Sequence, residues 1–164
     1  MSRFRGPLGF TDECSTPFRV WFTDLDVLMH MNNGKYFSLM DLARVDLMIR
    51  NNAFSILNKR GIYPVVASES MKFKKSLELF LKFSIVSKVV GWDERNFYLE
   101  QRFKRSGKVY AHALVKAQFL KKTGGRVSPQ EILEILKAED VDLEPPAYIR
   151  GWNESLEDGF SQDL

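Results

Sequence analysis

Thr23-Asp-Leu-Asp-Val-Leu-Met-His-Met-Asn-Asn-Gly-Lys-Tyr36 is the stretch from which this chain is best read. It gathers two aspartates, one of only two histidines and two asparagines into a turn-like segment. An apolar-periodic helix follows at once, from about Lys35 to Asn51. Asp26 and His30 stand four residues apart, beside the positive end of that helix. A carboxylate and an imidazole so placed can activate water and polarise a carbonyl. Each residue also has an architectural use. Asn32 or Asn33 can cap the helix, Asp24 and Asp26 can hold a turn, and His30 can be a partly buried loop histidine.

Upstream, Thr16-Pro-Phe-Arg-Val-Trp-Phe22 alternates and is rich in aromatic and β-branched residues, the signature of a first strand. Downstream, Tyr36, Leu39, Met40, Ala43 and Leu47 form one apolar stripe. Phe37, Val45, Met48 and Ile49 widen it until most of the circumference is apolar, so the helix should be largely enclosed by a curved sheet. Asn51-Asn52 provide a stop, and residues 53 to 61 form a short second helix ending at Gly61. Strands are expected near Val65–Ser76, Leu79–Gly91, Asn96–Arg105 and Lys108–Lys121, with turns at Gly91-Trp-Asp-Glu and Ser106-Gly107. Long, nearly contiguous strands imply an antiparallel meander. Ser128-Pro-Gln-Glu131 reads as a capping box opening a helix through about Ala138. One domain covers residues 1–138, and 139–164 form an acidic, irregular tail.

At 164 residues the chain fits one domain with a sizeable core. No apolar run approaches a membrane span, and Met1–Pro7 has no apolar region of a secretory signal. A single cysteine, Cys14, excludes an intramolecular disulfide and fits a reducing, cytoplasmic setting. Cys14 is read as a small apolar filler near the first strand. The net charge of +3 hides an uneven distribution: residues 139–164 hold eight acids and one base, −7, which leaves +10 on the rest. A basic body suits an anionic ligand. Basic and aromatic residues do not interleave as a stacking platform, so nucleic acid is not expected. Two histidines and one cysteine make no metal-ligand set.

The segment Asp24-Leu-Asp26, His30-Met-Asn32-Asn33 and Tyr36, opening a helix after a strand, resembles the hotdog-fold thioesterases, both the 4-hydroxybenzoyl-CoA group and the plant acyl-ACP enzymes. The resemblance covers about residues 17 to 120. Gly91-Trp-Asp-Glu-Arg-Asn-Phe-Tyr-Leu-Glu100 resembles one subfamily, with an echo at Glu144-Pro-Pro146 and Trp152-Asn-Glu154. It implies an α+β hotdog fold, with an antiparallel sheet of five or six strands wrapped around a central helix. It further implies hydrolysis of an acyl-CoA or acyl-carrier-protein thioester without a cofactor, in a homodimer or homotetramer whose acyl tunnel lies between subunits.

Carried over by position, Asp26 is the nucleophile or general base and His30 assists. The N–H of Asn33, or of Gly34, polarises the thioester oxygen. Asn32 orients water or caps the helix. Gly34, lacking a Cβ, permits close ligand approach. Ser68, Lys72 and Lys74 are candidate substrate contacts, the lysines for nucleotide phosphates, with Lys72 and Lys74 on one strand face. His112 is read as a strand histidine on a sheet face. Two positions depart from the acyl-ACP pattern: Leu28 replaces an asparagine between the aspartate and histidine, and Lys72 replaces a glutamate, for which Glu69, Ser68 or Ser70 are the nearby substitutes. These departures leave three alternatives open: a non-catalytic acyl binder, an enoyl-thioester hydratase or dehydratase, and a scaffold protein. Aliphatic and aromatic acyl groups are equally open.

Overall fold

The computed structural model describes residues 6–160, with the Phe160 side chain excepted; the sequence readings at Met1–Arg5 and Ser161–Leu164 lie outside the described residues. Strand β1 (Cys14–Arg19) leads through a short 3-10 turn (Phe22–Asp24) into the loop and helix α1 (Asn33–Arg50). Helix α2 (Ala53–Lys59) and strands β2 (Ile62–Phe73), β3 (Lys82–Trp92), β4 (Phe97–Arg105) and β5 (Lys108–Lys121) follow. The chain then forms β6 (Arg126–Val127), α3 (Pro129–Leu136) and α4 (Ala147–Phe160). All pairings are antiparallel, in the order β1-β3-β4-β5-β2, with β6 beside β5. This is the hotdog arrangement.

The meander expectation holds for β3, β4 and β5 but not for β2. That strand pairs with β5 and occupies the far edge, so residues 74–81 must cross from β2 to β3. The crossing runs beside the 25–31 loop, where Met31 N–H donates to the Leu77 carbonyl at 2.8 Å. It therefore builds one wall of the site.

Helix α1 lies in the sheet's concavity, with Tyr36, Met40, Ala43 and Leu47 buried. Ala111 and Ala113 on β5 are fully buried beneath it, and their small side chains let helix and sheet approach closely. Ile85 and Phe103 complete the floor. Truncating Met40 or Leu47 to Ala would cost about 2–5 kcal/mol in such a packed site. The helix is less enclosed than its composition suggests: Leu42, Val45 and Ile49 remain exposed. The sheet covers one side of the helix, and the open apolar flank adjoins the unpaired edge of β2.

Three further readings are corrected. Cys14 is buried among polar groups rather than acting as apolar filler. Its thiol donates to Asp46 Oδ2 at 3.6 Å and accepts from Arg50 Nη1 at 3.5 Å, while Thr16 Oγ1 donates to the same carboxylate oxygen at 2.7 Å. Burial, foremost, pushes the thiol above its ordinary pKa. The capping box is half made: Ser128 Oγ accepts the Glu131 N–H at 3.2 Å, but the Glu131 carboxylate bonds Lys121 Nζ at 3.0 Å instead.

The acidic tail is not irregular throughout, since Ala147–Phe160 is the helix α4. Its Ile149 is fully buried against Val90 and Tyr98 on the outer sheet face, with Trp152 packed alongside. The Gly91–Glu100 run is what receives it. Gly91 has φ +149°, and a Cβ there would stand 2.6 Å from Pro145 N. Trp92 N–H donates to the Leu143 carbonyl at 3.3 Å, and Lys116 Nζ meets Glu157 Oε1 at 2.6 Å.

Candidate active site

The loop between the 3-10 turn and α1 is a miniature hairpin. Leu25 and Met31 bridge across it, and Asp26 N–H donates to the His30 carbonyl at 2.8 Å. Inside the hairpin, Asp26 Oδ1 accepts two backbone N–H groups, from Leu28 at 2.9 Å and from His30 at 3.2 Å. Closing so tight a turn puts Met29 at φ +61°, a conformation unusual for a bulky residue. One carboxylate oxygen is thus committed to the loop. The other, Oδ2, has no hydrogen-bond partner among the described residues.

Asp24 holds the loop's base, as the sequence suggested. Its Oδ2 accepts the Trp21 N–H at 2.8 Å, its carbonyl accepts the Asn32 N–H at 2.8 Å, and Lys35 Nζ lies 3.5 Å from Oδ1. Asn32 is the N-cap of α1, its side-chain oxygen accepting the Gly34 N–H at 2.8 Å. That bond spends both Asn32 Oδ1 and the Gly34 donor, so neither is available to a substrate in the way the sequence allowed. The Asn33 N–H has no acceptor among the described residues. It remains as the free donor at a helix start, where partial positive charge collects.

These groups surround a cavity of about 420 Å³, within the size range of small-molecule sites. Asp26, His30 and Asn33 line it from the loop and helix start, and Lys74 and Lys75 line it from the crossing. Tyr36 and Phe73, with ring centroids 5.0 Å apart, form its apolar wall. Burial pushes the Tyr36 hydroxyl above its ordinary pKa, partly offset by the Leu77 backbone, so the ring faces the cavity as a neutral phenol. Leu28 also lines the cavity. Among the described residues, neither Asp26 Oδ2 nor the His30 ring has a hydrogen bond that would compete with a ligand.

Ser68 and Lys72 do not join them. Their β5 partners are Lys116 and His112, whereas the inward positions of β5 are Ala111, Ala113 and Val115. Ser68 and Lys72 therefore share the outer sheet face, and neither lines the cavity. Lys74 lies beyond the end of β2, so it is not on a common strand face with Lys72. Glu69 points inward, but its Oε2 lies 3.3 Å from Arg44 Nη1, which also donates to Gln101 Oε1 at 2.7 Å. Burial pushes the Glu69 carboxyl up, and Arg44 pulls it partly back. His112 is on the outer face, 3.6 Å from Glu100 Oε1.

The residues missed from sequence are Tyr36 and Phe73 as cavity walls and Lys75 as a cation. Phe73 was legible as an inward residue from the alternation of Met71 and Phe73. The end of β2 was not, and that end decides which lysines face the cavity.

A second, apolar cavity of about 290 Å³ lies at the other end of α1. Val45 and Met48 from α1, Val65 and Val66 from β2, and Phe97 and Phe119 from the sheet line it. Asp41 and Arg44 stand at its wall.

A family model described as the thioesterase-like superfamily matches residues 20–138, which include the loop, α1 and the whole sheet. The chain belongs to this superfamily. Within the superfamily it is similar to Protein THEM6 of Danio rerio, 36% identical over 126 residues, covering 76% of this chain and 60% of that protein. It is also similar to a probable thioesterase of Saccharomyces cerevisiae, 29% identical over 125 residues, covering 75% of this chain and 52% of the yeast protein. The chain thus spans about half to three-fifths of these relatives' lengths. The fold matches the crystal structure of YbaW, a probable thioesterase of Escherichia coli, with a TM-score of 0.70 at 24% identity over 77% of this chain and 98% of the other.

Proposed function

We propose that the protein hydrolyses an acyl thioester of coenzyme A or of an acyl-carrier protein, releasing a carboxylic acid and a free thiol. The observation that carries this reading is the division of labour at Asp26. One oxygen is held by the Leu28 and His30 N–H groups, and the other is left without a partner beside a polar cavity. In the base route, Oδ2 takes a proton from water as the water oxygen attacks the thioester carbon. In the nucleophilic route, Oδ2 itself attacks, and water then cleaves the mixed anhydride. In either route the carbonyl oxygen gains negative charge, which the free Asn33 N–H can meet; one such donor is worth about 3 kcal/mol in the transition state. The C–S bond then breaks and the thiolate takes up a proton. His30 assists by hydrogen-bonding the carbonyl or the water.

Lys74 and Lys75 support an anionic carrier group, since both line the cavity and are exposed. A homodimer is proposed from the 12-residue β2, whose outer edge is unpaired, and from the exposed flank of α1 next to it. Two-fold antiparallel pairing along β2 would set the polar cavity at one end beside the apolar cavity at the other end of the partner's strand. The acyl chain would then leave the first and fill the second. A homotetramer of two such dimers is the larger assembly consistent with this reading.

A non-catalytic acyl binder is the second reading, favoured by Leu28, an apolar side chain in the cavity where the acyl-ACP pattern has a water-orienting amide. Thiol release across an acyl-CoA chain-length series, compared between the wild type and Asp26→Asn, separates the two. Turnover lost in the variant supports hydrolysis. Binding with no turnover in either protein supports the binder.

A further inference from the structure

Strand register brings one end of every long strand to the same pole of the sheet. At that pole β1 ends with Arg19 opposite Lys82, Lys104 lies opposite Ser84, and Arg105 pairs with Lys108 at the β4–β5 turn. Lys74 and Lys75 join them, their backbone N–H groups both donating to the Tyr110 carbonyl. Among the described residues, none of these cations lies within ion-pair distance of a carboxylate.

Apolar side chains protrude at the same pole. Trp21 and Phe22 follow β1 directly, and Phe80 precedes β3. The Phe80 ring meets Trp21 at 6.1 Å and Phe22 at 5.2 Å, yet all three stay exposed, Phe22 to 64%. Val27 at the loop tip is 97% exposed, and Met29 beside it is exposed as well. The Arg19 guanidinium sits 5.7 Å from the Trp21 ring centre.

We propose that this pole is a docking surface for an anionic lipid bilayer, with the protein lying on the membrane rather than crossing it. A contiguous exposed aromatic cluster is unfavourable in water and marks an interaction site. Trp and Phe rings beside aliphatic side chains suit the boundary between headgroups and acyl chains. Unpaired lysines and arginines around them match anionic headgroups. The acids are held elsewhere: α4 packs on the outer face against Val90 and Tyr98, toward the opposite end of the strands. The unpaired edge available to a second copy is β2, at the other edge of the sheet from β1. Leu28 is exposed and also lines the Asp26 cavity, so the docked pole would present that cavity to the lipid.

The test is co-sedimentation of the full chain with vesicles of phosphatidylcholine alone or mixed with phosphatidylserine, at low and raised salt. The proposal predicts sedimentation with the mixed vesicles that weakens with salt. Phe22→Ser with Phe80→Ser should lower the affinity about tenfold or more. Lys104→Ala with Lys108→Ala should lower it by about the same factor. Both double variants alter surface residues, and circular dichroism checks that they fold. Absence of sedimentation with the mixed vesicles overturns the proposal, as does binding that neither double variant weakens. Two other results also overturn it. Oligonucleotide binding that needs the lysines but not the phenylalanines would assign the pole to nucleic acid, and a lower assembly mass for the phenylalanine variant in light scattering would assign it to a second copy.

Discussion

Asp26 Oδ1 accepts the backbone N–H of His30 at 3.2 Å, so the candidate base and the candidate imidazole are carried by one closed ring of hydrogen bonds. The His30 backbone does the architectural work, through its N–H to Oδ1 and its carbonyl to the Asp26 N–H. Its ring is left for the cavity.

That separation makes His30→Ala informative. The backbone bonds survive the substitution, so the melting temperature should change little. Thioester turnover should fall about a hundredfold if the ring assists proton transfer or carbonyl polarisation. Steady-state kinetics on a soluble acyl-CoA give the answer: unchanged kcat would reduce His30 to a loop residue.

Asn32 makes the opposite prediction. Its side chain caps α1 at Gly34, so Asn32→Ala should cost about 1 kcal/mol of stability. Asn32→Asp should restore most of it, because the carboxylate oxygen also accepts the Gly34 N–H. Denaturant unfolding of the three proteins measures this. Equal midpoints for wild type and Asn32→Ala would mean that the cap contributes nothing.

The latch for α4 rests on a close approach at Gly91. Gly91→Ala places a methyl against Pro145 and holds alanine at φ +149°, so residues 143–146 must shift. Loss of about 2 kcal/mol is expected, with faster hydrogen exchange in α4 than in α1. Unaltered exchange in α4 would show that the latch holds without this contact.

Acid should loosen the same latch. Burial pushes the Asp93 carboxyl up, but hydrogen bonds from Tyr98, Arg95 and Asn96 outweigh it and hold the group below its ordinary value of 3.8. A carboxyl with a depressed folded pKa contributes stability that is present above the unfolded value and is lost as pH falls through the folded one. The wild type should therefore lose part of its stability below about pH 4, where Asp93→Asn, less stable at neutral pH, should show a flatter profile. Melting curves from neutral to acidic pH test this; parallel profiles would contradict it.

Much of the fold was legible, because local patterns and tertiary packing agree along most of the chain. The strand expected at Lys108–Lys121 has those bounds, since Ser106-Gly107 marks its start and Gly124-Gly125 follow its end. β2 was misread by three residues at each end. Pro64 reads as a strand breaker, yet on an edge strand its missing N–H can face solvent without losing a ladder bond. The slip mattered, because it hid the crossing at residues 74–81 and mis-assigned Lys72. α4 was hidden by its acids, although Pro145-Pro146 is a fair helix-start signal and Ile149 and Trp152 share its buried side. At the site, residue types and spacing named Asp26, His30 and Asn33. Only coordinates could show that Asn32 and the Gly34 N–H are spent on each other.

The most direct measurement is thiol release by Asp26→Asn. Asparagine keeps a side-chain oxygen for the Leu28 and His30 N–H groups, so the loop should stand while the carboxylate is lost. The account predicts wild-type turnover of an acyl-CoA, a fall of about a thousandfold in the variant, retained acyl-CoA binding and a near-unchanged melting temperature. Wild-type-like turnover by a folded Asp26→Asn protein would contradict it.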